Sequence, residues 1–171
     1  YNNFESGIYL AAGTYDGASG CSNTNVKDNE VYGNRNNGLL SIGGIGNTFT
    51  NNNVHDNWNS GVMMWHVADN DFSGNTISGN NTHSFNGIGN NGDAYSAVTS
   101  KGADVDASAS YNFKLTGNTI SNNGNGNQDN AIGVLVDDGL LSSTISGNTF
   151  SGQDTDVSYG DNTTASGNTC S

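Results

Sequence analysis

The chain has no proline, only four basic residues and two cysteines, and with 32% hydrophobic residues it has little to bury. Low hydrophobicity combined with a formal net charge of -12 is the composition of many disordered segments. Those segments are usually rich in Pro, Glu and Lys and lack regularly spaced Ile, Val and Leu. Here the few apolar residues recur on a fixed period, so the thrift belongs to a solenoid. Each coil of a solenoid buries a few side chains against its neighbours and gives the rest of its length to turns.

The shortage of cations (Lys27, Arg35, Lys101, Lys114) argues against nucleic acid or an anionic membrane as partner. It also disfavours a polyanionic glycan unless Ca²⁺ bridges the like charges. No apolar run approaches the roughly 20 residues of a membrane-spanning helix, no signal peptide leads the chain, and no helical face of useful length appears. Tyr1-Asn2-Asn3-Phe4 already read like the middle of a repeat. The expectation is a mature, cleaved or truncated piece of a longer solenoid whose ends another segment or chain covers.

Cys21 and Cys170 stand near opposite ends of the sequence. In about five or six coils stacked roughly 4.8 Å apart they are separated by far more than the roughly 7 Å between Cα atoms that a disulfide spans. They are expected not to pair with each other: both are free thiols, or their partners lie in segments outside this chain.

What is abundant is asparagine and glycine, and they carry the repeat. An Asn, any residue, then an apolar residue recurs at Asn29-Glu30-Val31, Asn52-Asn53-Val54, Asn75-Thr76-Ile77, Asn118-Thr119-Ile120, Asn148-Thr149-Phe150 and Asn168-Thr169-Cys170. Successive Asn positions differ by 23, 23, 43, 30 and 20 residues. Intervals of 20–23 read as one coil, and 30 as one coil with a lengthened turn at 122–130. The interval of 43 is either two coils or one coil with an insertion over 80–98. A second element precedes each Asn: Gly7-Ile8-Tyr9-Leu10, Gly38-Leu39-Leu40-Ser41-Ile42, Gly61-Val62-Met63-Met64 and Ile132-Gly133-Val134-Leu135-Val136. These read as short strands joined by turns where Asn and Gly accept the left-handed backbone cheaply. Stacked Asn side chains at equivalent turns form hydrogen-bonded ladders. The reading is an all-β, single-stranded parallel β-helix of about 20–23 residues per coil, one domain over 1–171.

The repeat Gly74-Asn75-Thr76-Ile77-Ser78-Gly79-Asn80 resembles the right-handed parallel β-helix repeats of pectate lyase-like proteins. These include pectin and alginate lyases, mannuronan epimerases, polygalacturonase-type hydrolases, α-1,3-glucanases and phage tailspikes. The resemblance implies a secreted, extracellular protein with polysaccharide as partner, bound in a groove along the stacked strands.

Aligning coils on the repeat Asn puts Ser41-Ile42, Met64-Trp65, Ala107-Ser108 and Asp137-Asp138 in equivalent places. With one residue of slack, Trp65, His66, Asp104 or Asp106, Asp137 and Asp138 share one column. A ring to bind a sugar's apolar face, with carboxylates beside it for acid and base roles, is what a sugar-cleaving groove needs. Asp106 one coil before adjacent Asp137 and Asp138 also resembles the polygalacturonase and α-1,3-glucanase pattern. That likeness implies Asp137 or Asp138 as general acid, with the other two Asp holding the water. The chain departs from the polygalacturonase branch in lacking Gly-His-Gly and Arg-x-Lys motifs, which disfavours polygalacturonate and leaves a neutral glucan open.

Each feature has a structural reading too. Asp137-Asp138-Gly139 is a normal turn sequence, Trp65 could be a packing residue, and His66 alternates away from it in a regular strand. Asp69-Asn70-Asp71, Asp104-Val105-Asp106 and Asp154-Thr155-Asp156 place oxygens as Ca²⁺ sites do, without matching a calcium-loop pattern. The insertion, with His83, Phe85, Asp93 and Tyr95, is the expected groove wall. Asn80-Asn81-Thr82 and Asn162-Thr163-Thr164 are glycosylation acceptors in a eukaryotic source.

Two readings follow. The first is an inverting glycoside hydrolase on a neutral or weakly charged glycan. It uses Asp106, Asp137 and Asp138 as catalytic carboxylates and Trp65, His66, Tyr95 and Lys101 for substrate. No cofactor or metal is required, and Ca²⁺ enters only in a lyase or epimerase variant, with Lys101 or Arg35 beside it. The second is a non-catalytic glycan-binding or structural segment.

Overall fold

A computed structural model describes residues 1–11, 21–80, 103–108, 112, 114–122, 132–136, 143–152, 155–158 and 163–171. These residues form no helix. Their strands build three six-stranded parallel sheets. The first sheet stacks β1 (Ile8–Ala11), β4 (Leu39–Ile45), β7 (Val62–Ala68), β10 (Ala103–Ser108), β13 (Ile132–Val136) and β16 (Thr155–Ser158). The second stacks β2 (Asn25–Lys27), β5 (Thr48–Thr50), β8 (Asp71–Ser73), β11 (Lys114–Thr116), β14 (Ser143–Ser146) and β17 (Thr163–Ser166). The third stacks β3 (Glu30–Tyr32), β6 (Asn53–His55), β9 (Thr76–Ser78), β12 (Thr119–Ser121), β15 (Thr149–Ser151) and β18 (Thr169–Cys170). The chain visits the sheets in turn, so it is a parallel β-helix of six coils, as the repeat predicts.

Each coil has three strands where the repeat suggested two. The second sheet escaped notice because its short strands carry no recurrent marker: the residue two before the inward one is Thr24, Asn47, Asn70 or Ser143, where the third sheet has Asn in every coil. That inward residue is nonetheless the centre of the core. Val26, Phe49, Phe72, Leu115 and Ile145 stack in register, and the rings of Phe49 and Phe72 lie parallel, 4.2 Å apart. A second inward column, Val31, Val54, Ile77, Ile120 and Phe150, runs along the third sheet. Ile77, Ile120 and Phe150 are fully buried.

The corners explain the asparagine and glycine. A strand ends on a residue in the left-handed region, and the next residue turns inward. Between the second and third sheets the left-handed residues are Asp28, Asn51, Gly74, Gly117, Gly147 and Gly167, with φ between 55° and 66°. Gly and short Asx side chains enter this region at least cost. The next residues are Asn29, Asn52, Asn75, Asn118, Asn148 and Asn168. They form a ladder in which each amide donates to the Oδ1 of the next, at 3.0, 3.0, 2.9, 3.0 and 3.0 Å. Asn75 and Asn118 are direct neighbours in it, so the interval of 43 is one coil with an insertion, not two coils. Asn118 and Asn148 likewise make the interval of 30 one coil. A shorter ladder, Asn3, Asn34, Asn57 and Asn80, runs at the corner that leads back to the first sheet.

Cys21 and Cys170 are not joined to each other, as their placement at opposite ends requires.

Candidate functional site

The first sheet differs from the other two. β4 and β7 are seven residues long, and Leu39–Ile42 and Val62–Met64 are buried residue after residue, the pattern of a strand covered on both faces. Leu39, Val62 and Met64 face the main core. Leu40, Ile42 and Met63, on the opposite face, form a separate buried cluster, where the Asn37 amide also reaches the Met63 Sδ at 3.7 Å.

The register matches the alignment on the repeat for three coils: Ser41 pairs with Met64 and Ile42 with Trp65, while Ala107 pairs with Met64 and Ser108 with Trp65. It slips by one at the next coil, where Val136 and not Asp137 pairs with Ala107. Asp106 pairs with Met63 on one side and Leu135 on the other. Its row therefore runs Tyr9, Leu40, Met63, Asp106, Leu135, Ser158. Asp106 holds a position that three other coils give to Leu or Met, two residues before the row of Trp65. Val136, the last residue of β13, pairs with Ala107, and Asp137 follows it in sequence. His66 follows Trp65 in β7. Asp137, Asp138, Tyr95 and Lys101 lie outside the described residues, as does all but Asn80 of the insertion expected over 80–98.

A cluster that sequence reasoning missed lies on the first two coils and the residues before β1. Tyr1, Tyr32 and His55 stack along the axis with ring centroids 5.1 Å apart in both steps and planes within 6°. Three residues after each comes a second column, Phe4, Arg35 and Trp58. The guanidinium carbon of Arg35 sits 5.5 Å from the Phe4 ring centroid and 5.0 Å from that of Trp58. Carboxylates flank the first column: His55 Nδ1 is 2.8 Å from Asp56 and Nε2 is 3.5 Å from Glu30. The legible signal was the spacing itself, since Tyr32-x-x-Arg35 is followed 23 residues later by His55-x-x-Trp58. The stacked rings turn much of their faces toward one another or to Arg35. The arrangement ties coils together and leaves an exposed cation at its centre.

Among the described residues no three His, Cys, Asp or Glu side chains gather to hold a metal. The Asp69-Asn70-Asp71 stretch is a corner. Asp69 is left-handed at φ 54° and accepts from the Asn112 amide, while Asn70 is buried and its Oδ1 accepts from the Asn47 N–H at 2.9 Å. The sequon residue Asn80 is fully buried. Its Oδ1 takes the amide of Asn57 at 2.8 Å and its own amide donates to the carbonyls of Val54 and Ser78, so the folded chain does not present it for glycosylation. Asn162 lies outside the described residues.

A family model described as a right handed beta helix region matches residues 1–171. No curated protein matches the chain, and no solved structure matches it.

Proposed function

Because the chain belongs to the right-handed β-helix family, we propose that it is a secreted glycoside hydrolase that cleaves a neutral or weakly charged polysaccharide along its first sheet. The observation that carries this reading is the row of Asp106. Asp takes a strand position that earlier coils give to the buried Leu40 and Met63, against the preference of charged residues for water, and departures from a local pattern of this kind concentrate at functional sites. Trp65 lies two positions along the adjacent strand, and the sequence reaches Asp137-Asp138 directly after β13.

In this reading Asp137 or Asp138 protonates the glycosidic oxygen as the bond to the anomeric carbon breaks. Asp106 and the remaining Asp hold a water and take its proton as it attacks from the opposite face, which inverts the anomeric centre. Trp65, His66, Tyr95 and Lys101 bind the flanking sugars.

The test is reducing-sugar release from a panel of neutral and acidic polysaccharides by the purified chain, by Asp106→Asn and by Asp137→Asn/Asp138→Asn. Activity on a neutral glucan, lost by about 10²-fold or more in either variant, supports the reading. A folded chain inactive on every polysaccharide sinks it, and a non-catalytic glycan-binding role takes its place.

A further inference from the structure

The outward face of the third sheet changes character along the axis. On the first two coils its outward residues are Glu30 and Tyr32, then Asn53 and His55. From the third coil onward they are Thr76 and Ser78, Thr119 and Ser121, Thr149 and Ser151, then Thr169, all in register. No charged residue interrupts this stretch, in a chain whose formal net charge is -12. Thr76, Thr119, Thr149 and Thr169 are exposed, and Ser78, Ser121 and Ser151 are half-buried.

The hydroxyls are held on a rigid grid. Each threonine directly follows a rung of the six-coil asparagine ladder, and Ile77, Ile120 and Phe150 pack beneath the sheet. Along the axis the hydroxyls repeat once per coil, about 4.8 Å. Across the strand they repeat every second residue, about 6.6 Å. Threonine adds a stiff χ1 torsion and a methyl beside each hydroxyl. The second sheet offers no such grid, because Asp71 and Lys114 stand in the row of Thr48 and Thr144.

We propose that this face binds ice. Its two perpendicular repeats are close to the two axial repeats of oxygen atoms on a prism face of hexagonal ice, so waters bonded to the hydroxyls fall near lattice positions. Neutrality is the second argument. An ionic side chain orders water around itself in a geometry the lattice does not share, whereas a neutral hydroxyl–methyl array matches an uncharged, hydrogen-bonding surface. The proposal is independent of the hydrolase reading, since it uses a different sheet.

The test is thermal hysteresis and crystal shaping by the purified chain in a nanolitre osmometer. The parent is expected to hold back crystal growth and facet the crystals. Thr119→Lys and, separately, Thr149→Tyr are expected to lose both effects while keeping the parent's circular dichroism. Thr164→Lys, on the second sheet, is expected to retain them. A folded parent no better than a non-binding control protein overturns the proposal, as does hysteresis that survives both substitutions. Threonine-dependent retention on crystalline cellulose or chitin, without any effect on ice, overturns it as well and assigns the face to a solid polysaccharide.

Discussion

Two corners of this helix use the same device and end with different hydrogen-bond accounts. Between the second and third sheets the buried asparagines satisfy every polar group they bring in. Asn75 donates to Asn118 Oδ1 and to the Phe49 carbonyl, both at 2.9 Å, and accepts the N–H and the amide of Asn52 at 2.9 and 3.0 Å. Between the first and second sheets the ladder begins with a threonine: Asn47 Oδ1 accepts from the Thr24 N–H, and Asn70 Oδ1 from the Asn47 N–H. There the side-chain amides of Asn47 and Asn70 are buried and meet no acceptor among the described residues. The difference teaches that the residue type alone stabilises nothing. An asparagine in a corner holds coils together only where both amide hydrogens find acceptors; otherwise its oxygen does the work that a threonine hydroxyl could do.

The comparison can be pressed hardest at the complete ladder. Asn118→Asp sets a carboxylate, without hydrogens to donate, against Asn148 Oδ1 and the Phe72 carbonyl, which now accept from its amide at 3.0 Å each. A buried unpaired charge costs about 3–5 kcal/mol, so this variant is expected to be recovered unfolded or insoluble at neutral pH. Next comes the same substitution at both corners. Asn75→Thr is expected to cost about 3 kcal/mol and lower the midpoint of thermal unfolding by about 6–12 °C. Asn70→Thr, which gives up an amide already unpaired, should stay within about 1 kcal/mol of the parent. Equal losses in the two variants, read by calorimetry, would mean that the unpaired amides are in fact satisfied by water. The smallest effect isolates the left-handed residue from the ladder behind it. Gly117 has φ of 64° and nothing within 4 Å of where a Cβ would stand, so Gly117→Ala should cost about 1 kcal/mol from backbone strain alone.

Much of the fold was legible because its signal is repeated. An Asn-x-apolar unit stands at the same corner of every coil, and the structure turns it into a ladder rung followed, in the first five coils, by a core residue. Even the irregular interval from Asn75 to Asn118 resolved as a single step once the two side chains were seen to touch. The second sheet was hidden because no single residue type marks its inward column: Asn47 and Asn70 stand two before Phe49 and Phe72, but Thr24 and Ser143 stand two before Val26 and Ile145. Its period shows only between coils. The candidate site was legible in part. The expected equivalence of Trp65 with Ser108 holds, and it locates Asp106 beside Met63 and Leu135. What sequence could not supply is whether a carboxylate at such a row meets others, since that depends on side chains and turns outside the repeat. The Phe4–Arg35–Trp58 column was missed for a related reason. Its members share neither chemistry nor an even interval, because 31 residues separate the first two and 23 the last two.

The corner between the second and third sheets is two residues long in every coil, from Lys27–Glu30 to Ser166–Thr169, whereas the other connections vary widely in length. For an evolving gene this makes one side of the solenoid a fixed spine and the rest open ground. Insertions that lengthen a coil by 20 residues have been absorbed after Asn80, where they leave the rungs in contact. A single added residue between Ser73 and Thr76 would displace a rung from all its partners. New binding loops, or whole guest domains grafted by an engineer, belong at the variable connections.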